Sequence, residues 1–240
     1  MRFFNWSFIR LLLMFALVIF LYSFAKYRND SRKLTKSEVI FLEGDNLFVK
    51  NEMVNKLLIE NKRDVKTFAK VEVDLNKLEN SINKQEMIEQ SEVFVSVDGV
   101  LKAVVKQKTP IARVMNEQGS FYIDYKGNRM PLSDINTARV LLVSGGINNK
   151  NRKDLADLFR IIYDDDFLKK NIIGIQILPN QSLIMKNRNF DYEIEFGKTI
   201  NVKKKINNYK AFFQKAVLDS SLHKYKKINL MFTQQVVCTK

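Results

Sequence analysis

Hydrophobic positions follow two patterns along this chain. Leu11 to Ala25 reads LLLMFALVIFLYSFA, with no charge and no polar face, so it lacks the one-sided stripe of a helix that packs on a soluble core. Those 15 residues fall short of the roughly 20 that span a bilayer as a helix. Extending back to Phe3 gives 23 and takes in Asn5, Ser7 and Arg10, whose side chain can snorkel to the headgroups. Trp6, Tyr22 and Tyr27 lie near the two ends, where amphipathic aromatics favour the interface. The pattern predicts a retained membrane anchor within residues 1–25, after a cytoplasmic tail of two to ten residues. Ser23-Phe24-Ala25 also matches the small-x-small pattern that precedes a signal-peptide cut, so a cleaved segment is the competing reading.

Residues 26–37 (KYRNDSRKLTKS) have no apolar period and read as a basic spacer at the membrane surface. From there the pattern predicts a small α+β domain over 38–108. A strand at Val39 to Leu42 leads to a turn at Glu43-Gly44-Asp45, and Asn51 is placed to cap a helix carrying Val54, Leu57 and Leu58. Asp74 is placed to cap a second helix, with Leu75, Leu78 and Ile82 on one face. Val93, Val95 and Val97 alternate before Asp98-Gly99, and Leu101, Ala103 and Val105 alternate after it, which predicts a hairpin.

A larger, β-rich domain with a few helices is expected over 109–240. Strands are predicted at Ile111 to Met115, Phe121 to Tyr125 and Ala138 to Ser144, with a turn at Lys126-Gly127-Asn128. A helix from Asn151 would place Leu155, Leu158 and Ile162 on one face, and strands come next at Ile172 to Leu178, Ser182 to Lys186 and Tyr192 to Phe196. A helix over Val202 to Leu218 would align Ile206, Tyr209, Phe213 and Val217. The last predicted strand, Lys227 to Val237, puts Ile228, Leu230 and Phe232 on its inner face and Asn229, Met231 and Thr233 on the other.

Charge narrows the partners. The formal net charge is +14, and residues 1–36 account for +6 of it through Arg2, Arg10, Lys26, Arg28, Arg32, Lys33 and Lys36 against Asp30. The remainder carries +8 over 204 residues without a basic stripe interleaved with aromatics, so no nucleic-acid partner is expected. Basic residues after the apolar segment outnumber those before it, which by the positive-inside count favours a cytoplasmic C-terminal region. That count loses force when a large domain is translocated, and the n-h-c order argues for export of the C-terminal region. With one cysteine, Cys238, and one histidine, His223, the chain has no internal disulfide and no zinc site of Cys and His ligands.

The junction between the two regions carries the most specific string. Lys108-Thr109-Pro110-Ile111-Ala112-Arg113-Val114 is succeeded by Gly119, Tyr122-Ile123-Asp124, Gly127 and Met130-Pro131-Leu132-Ser133. Pro110 fixes φ and biases Thr109 towards extended backbone, so the chain leaves the first region as a stiff strand. These residues are expected chiefly to set the geometry of the regions without touching a partner, the alternative role for Arg113 being a clamp on a carboxylate between the regions. This string, with the order of tail, apolar segment, small α+β region and larger β region, resembles the FtsQ/DivIB family of bacterial cell-division proteins, and the small region resembles a POTRA domain.

The resemblance implies a non-catalytic scaffold in the cytoplasmic (inner) membrane at the division septum, binding other membrane division proteins outside the cytoplasm and linking cytoplasmic ring assembly to septal peptidoglycan synthesis. It implies FtsB- and FtsL-type single-pass partners at the C-terminal strand, further division proteins at the POTRA-like region, and no cofactor. The expected partner-binding residues are Lys227, Ile228, Asn229, Leu230, Met231, Phe232, Thr233, Gln234, Gln235 and Val236, on an edge strand open to β-augmentation. Lys224, Lys226 and Lys227 would steer an acidic partner there. Pro110, Ala112 and Arg113 are the expected junction residues.

Two other readings compete with the scaffold. A secreted or anchored peptidoglycan-modifying enzyme needs a nucleophile with a base, a metal cluster or paired carboxylates. The sequence offers only Asp164-Asp165-Asp166, placed where a helix ends, and His223 beside Ser220 and Ser221; no metal or catalytic residue is assigned. A POTRA-bearing transport component would carry a C-terminal membrane barrel of many ten-residue alternating strands, which the helices after Pro110 do not suit.

Overall fold

The computed structural model describes residues 6–30, 33–42, 48–59, 73–116, 119–148 and 150–240. The chain divides into two compact units, Met1–Gln107 and Lys108–Lys240. Their fold is α+β with one N-terminal apolar helix, the class expected from the sequence.

In the first unit, helix α1 (Trp6–Asp30) contains an apolar stretch, Phe8–Asn29, of mean hydropathy 2.3 with none of it buried. At 1.5 Å per residue that stretch is about 33 Å long, enough to cross a hydrocarbon core of about 30 Å; the helix itself continues further. It runs five residues beyond Ala25, into the segment expected to be a spacer. Strand β1 (Lys36–Phe41), helices α2 (Asn51–Leu58) and α3 (Leu75–Asn83), and strands β2 (Ile88–Val95) and β3 (Val100–Gln107) complete the unit. The sheet order is β1-β3-β2, with β1 parallel and β2 antiparallel to β3. Val54, Leu58, Leu78 and Ile82 form the buried helix faces, against Val93, Leu101, Ala103 and Val105.

Local chemistry explains these boundaries. Asp74 caps α3 by accepting from Lys77 N at 3.0 Å. Asn51 is not the cap of α2 but its first helical residue; Lys50 holds the cap position in extended conformation with no side-chain bond. The hairpin turns at Gly99 (φ +81), where a Cβ would stand 2.9 Å from Lys33 O, and Val97 lies in that turn, 80% exposed, rather than in the strand. The expected turn at Glu43-Gly44-Asp45 lies outside the described residues.

The second unit begins with β4 (Pro110–Asn116), β5 (Gly119–Asp124), β6 (Arg129–Met130) and β7 (Leu141–Ser144), then helices α4 (Arg152–Asp164) and α5 (Asp166–Asn171). Strands β8 (Ile172–Ile177), β9 (Leu183–Asn187) and β10 (Glu193–Gly197), helix α6 (Val202–Leu218), β11 (Lys227–Asn229) and β12 (Val237–Thr239) complete it. All its strands belong to one nine-stranded sheet ordered β12-β11-β10-β9-β8-β7-β4-β5-β6. One buried cluster joins Leu158, Ile162, Leu168, Ile206 and Tyr209 of the helices to Val114, Val143, Ile175, Met185, Ile194 and Ile228 of the strands.

Helix α5 leaves no trace in the apolar period, because six residues are too few to show one. It is set by Asp165, whose carboxylate accepts from Leu168 N at 3.0 Å and pairs with Lys210 on α6. Strand β7 occupies only Leu141–Ser144 of the expected 138–144, since Ala138 N instead donates to Tyr122 Oη at 3.1 Å. Val217 of α6 is 49% exposed rather than part of the buried face.

Candidate partner-binding edge

The C-terminal edge of the large sheet is built outward from β10. β11 runs parallel to β10, pairing Ile194 with Ile228, so a crossover must join them, and α6 supplies it. Tyr209 holds α6 in place: Asn187 Nδ2 donates to its hydroxyl at 3.0 Å and Tyr192 Oη lies 3.0 Å away. Burial pushes both phenols up, so both remain neutral hydrogen-bonding groups. Lys205 Nζ donates to Phe196 O and Lys198 O, each at 2.8 Å, tying the start of α6 to the end of β10, and burial lowers its pKa.

The expected strand from Lys227 to Val237 is not continuous. β11 ends at Asn229, a bend occupies 231–234, and the chain returns antiparallel as β12. The break has a local cause. Asn229 Oδ1 accepts from Met231 N at 2.9 Å, drawing that donor off the ladder, and Asn208 Nδ2 on α6 donates to Thr233 O at 3.0 Å. The sheet edge is therefore β12, with Lys227 opposite Thr239, Ile228 opposite Cys238 and Asn229 opposite Val237. Among the described residues no strand pairs with the outer side of β12.

The expected edge residues divide among core, bend and surface. Ile228 and Leu230 are buried at 0% and 1%, but Phe232, expected on the inner face, is 53% exposed in the bend. Met231 (48%) and Val237 (41%) are exposed as well, so three apolar side chains gather at the tip of the hairpin and along its edge. Val236 and Cys238 pack on the core, Gln234 and Gln235 are exposed, and Asn229 and Thr233 serve the bend. Lys227 Nζ lies 3.3 Å from Glu195 Oε1, and Asn229 Nδ2 donates to Glu195 Oε2 at 3.1 Å, so Lys227 is already neutralised within the sheet. Burial pushes the Cys238 thiol up, away from the thiolate a nucleophile requires.

The junction residues serve the sheet. Pro110 opens β4 opposite Asp124, and Ala112 is fully buried between Ile123 and Leu141. Among the described residues Arg113 makes no ion pair, and its buried Nε has no acceptor. Asp124 Oδ1 accepts from Asn128 N at 2.7 Å, while its Oδ2 is buried without a partner.

The Asp164–Asp166 run is divided among structural tasks. Tyr125 Oη donates to Asp164 Oδ2 at 2.9 Å, while Asp165 caps α5. No group of three metal-capable side chains occurs among the described residues. The His223 ring meets Phe190 edge-on at 5.1 Å.

Among solved structures, the chain is similar to the major extracytoplasmic domain of the trans isomer of the bacterial cell-division protein DivIB from Geobacillus stearothermophilus, at 14% identity and a TM-score of 0.32. That likeness covers 47% of this chain and 95% of the other. No curated protein matches. The family model described as FtsQ/DivIB, C-terminal related, matches residues 109–239, which is the whole nine-stranded unit and more than half of the chain. The chain belongs to this FtsQ/DivIB C-terminal-related family.

Proposed function

We propose that this protein is a non-catalytic, single-pass scaffold of the bacterial division machinery, and that its C-terminal hairpin binds another single-pass division protein of the FtsB or FtsL type outside the cytoplasm. Family membership supports a role in cell division, and α1 is long and apolar enough to cross a membrane. The observation that carries the partner reading is the open side of β12, flanked by exposed Met231, Phe232 and Val237. An open edge offers main-chain donors and acceptors to an added strand, and neighbouring apolar side chains give that strand something to bury. The small unit serves as a further docking module for division proteins, and the whole couples ring assembly to septal wall synthesis.

The test places a photo-crosslinking amino acid at Val237 or Thr239 in the full-length protein and identifies the captured chain. A small single-pass division protein is expected at both positions, and affinity co-purification of that same protein is expected to be lost with a chain ending at Gln235, which keeps β11 and lacks β12. Equal co-purification with that shortened chain, checked for fold by circular dichroism, would refute the edge as the binding surface.

A further inference from the structure

The larger unit carries a second recess, away from β12, where β4, β7 and β8 begin. It is a cleft of about 410 Å³ with Ile111, Leu141 and Ile172 among its apolar lining. That volume lies in the lower part of the range of sites that enclose a small ligand or a short chain segment. The charged residues lining it are Arg113, Arg139, Lys169 and Arg188, and among the described residues no aspartate or glutamate lines it.

Two of the four cations are held in place. Arg188 Nε donates to Lys170 O at 2.9 Å, and Lys169 Nζ lies 3.8 Å from the centre of the Tyr163 ring. Among the described residues the other two make no ion pair: Arg139 is exposed and makes no hydrogen bond, and Arg113, partly buried, has no acceptor for its Nε. Asp124, on the strand beside Arg113, turns one carboxylate oxygen to the Asn128 amide and makes no ion pair with Arg113. Like charges gathered around a low-dielectric concavity repel one another and focus a positive potential into it, which an anionic occupant relieves.

We propose that this cleft is a second docking site, taking a short acidic segment of a partner protein whose carboxylates meet Arg113 and Arg139 and whose aliphatic side chains cover the apolar lining. The planar guanidinium fork suits carboxylate and phosphate alike. The lining decides between them, because isoleucine and leucine gain nothing from an inorganic anion and gain burial from an aliphatic chain. The site is distinct from the hairpin edge: four strand spacings separate β8 from β12, about 19 Å at about 4.8 Å each.

The full-length protein in detergent micelles is titrated with a Leu-Glu-Leu-Glu-Leu-Glu amide carrying carboxyfluorescein on its N-terminal amine, read by fluorescence anisotropy. Saturable binding is expected, weakened at least tenfold by Arg139→Glu and by Arg113→Gln, and absent for the peptide with glutamine in place of glutamate. Arg139→Glu changes an exposed side chain, so it decides the matter even if Arg113→Gln impairs folding. Binding is expected to persist in the chain ending at Gln235, and Arg139→Glu is expected to leave crosslinking from Val237 intact, so the two sites fail separately. The proposal is overturned by absence of saturable binding, by equal affinity in Arg139→Glu, by loss of peptide binding on removal of β12, or by inorganic pyrophosphate displacing the peptide at concentrations below the peptide's own dissociation constant.

Discussion

Gly197 lies directly against Met231: a Cβ built on Gly197 would stand 2.7 Å from Met231 Cγ, and Gly197 has φ +70. The glycine closes β10 and the methionine opens the bend after β11, so this contact sets how closely the hairpin tip approaches the sheet. Gly197→Ala should cost about 1–2 kcal/mol through the left-handed backbone alone and should displace Met231. Urea unfolding measures the first effect, and crosslinking yield from Val237 measures the second.

Phe232 is 53% exposed in the bend, so replacing it with glutamate should change stability by no more than about 0.5 kcal/mol, while Met231→Glu also disturbs the contact with Gly197. The same changes should weaken capture of a partner at the hairpin at least tenfold, the scale of a well-placed interface residue at about 1.4 kcal/mol or more. Thermal unfolding paired with crosslinking separates the two effects. Unchanged capture by both variants would remove these side chains from the binding surface.

Asp165 makes stability depend on acid. Burial opposes ionisation of its carboxyl, but the bond from Lys210 and the Leu168 amide outweigh that and hold it below the ordinary carboxylate value. A depressed folded pKa contributes stability above the unfolded value of about 3.9, and that contribution is lost as pH falls through the folded value. Asp165→Ala should therefore destabilise by about 1–2 kcal/mol at pH 7, from a lost cap and a lost ion pair. Its denaturant midpoint should fall less steeply than that of the parent below about pH 4.

Lys205 donates to the carbonyls of Phe196 and Lys198. Lys205→Met keeps most of the packing stem and removes the amine, leaving two acceptors without that donor. A loss of about 1–3 kcal/mol in denaturant unfolding is expected, with the start of α6 loosened in amide exchange.

The N-terminal segment should be present in the mature protein. N-terminal sequencing of the membrane-extracted chain should read through Trp6, and a chain beginning at Lys26 would show that the apolar segment is removed.

Much of the fold was legible where one physical signal dominated. Asp98-Gly99 between two alternating apolar runs specified the hairpin of the small sheet, Asp74 specified the cap of α3, and the period of Ile206 and Tyr209 specified α6. The signals failed where a side chain acts on the backbone two residues away. Asn229 next to an alternating apolar run reads as a strand residue, yet its carboxamide takes the Met231 amide and ends β11. Phe232 therefore left the inner face assigned to it, and the edge moved from β11 to β12. Pairing across the sheet was equally hidden: the binding of Lys227 and Asn229 by Glu195 joins residues more than thirty positions apart. The cleft at Arg113 and Arg139 was hidden for the same reason, since its four cations come from four separate segments.

The shortness of β12 limits what main-chain pairing can contribute. Three residues offer an added strand only about two or three outward hydrogen bonds, worth about 0.5–1.5 kcal/mol each. Their sum stays below the roughly 8 kcal/mol of a micromolar complex. Affinity for any strand laid there must come mainly from side chains covering Met231, Phe232 and Val237, and the hydrogen bonds serve chiefly to fix its direction and alignment. The time such a strand stays on the edge would then follow the burial of those three side chains rather than the number of main-chain bonds.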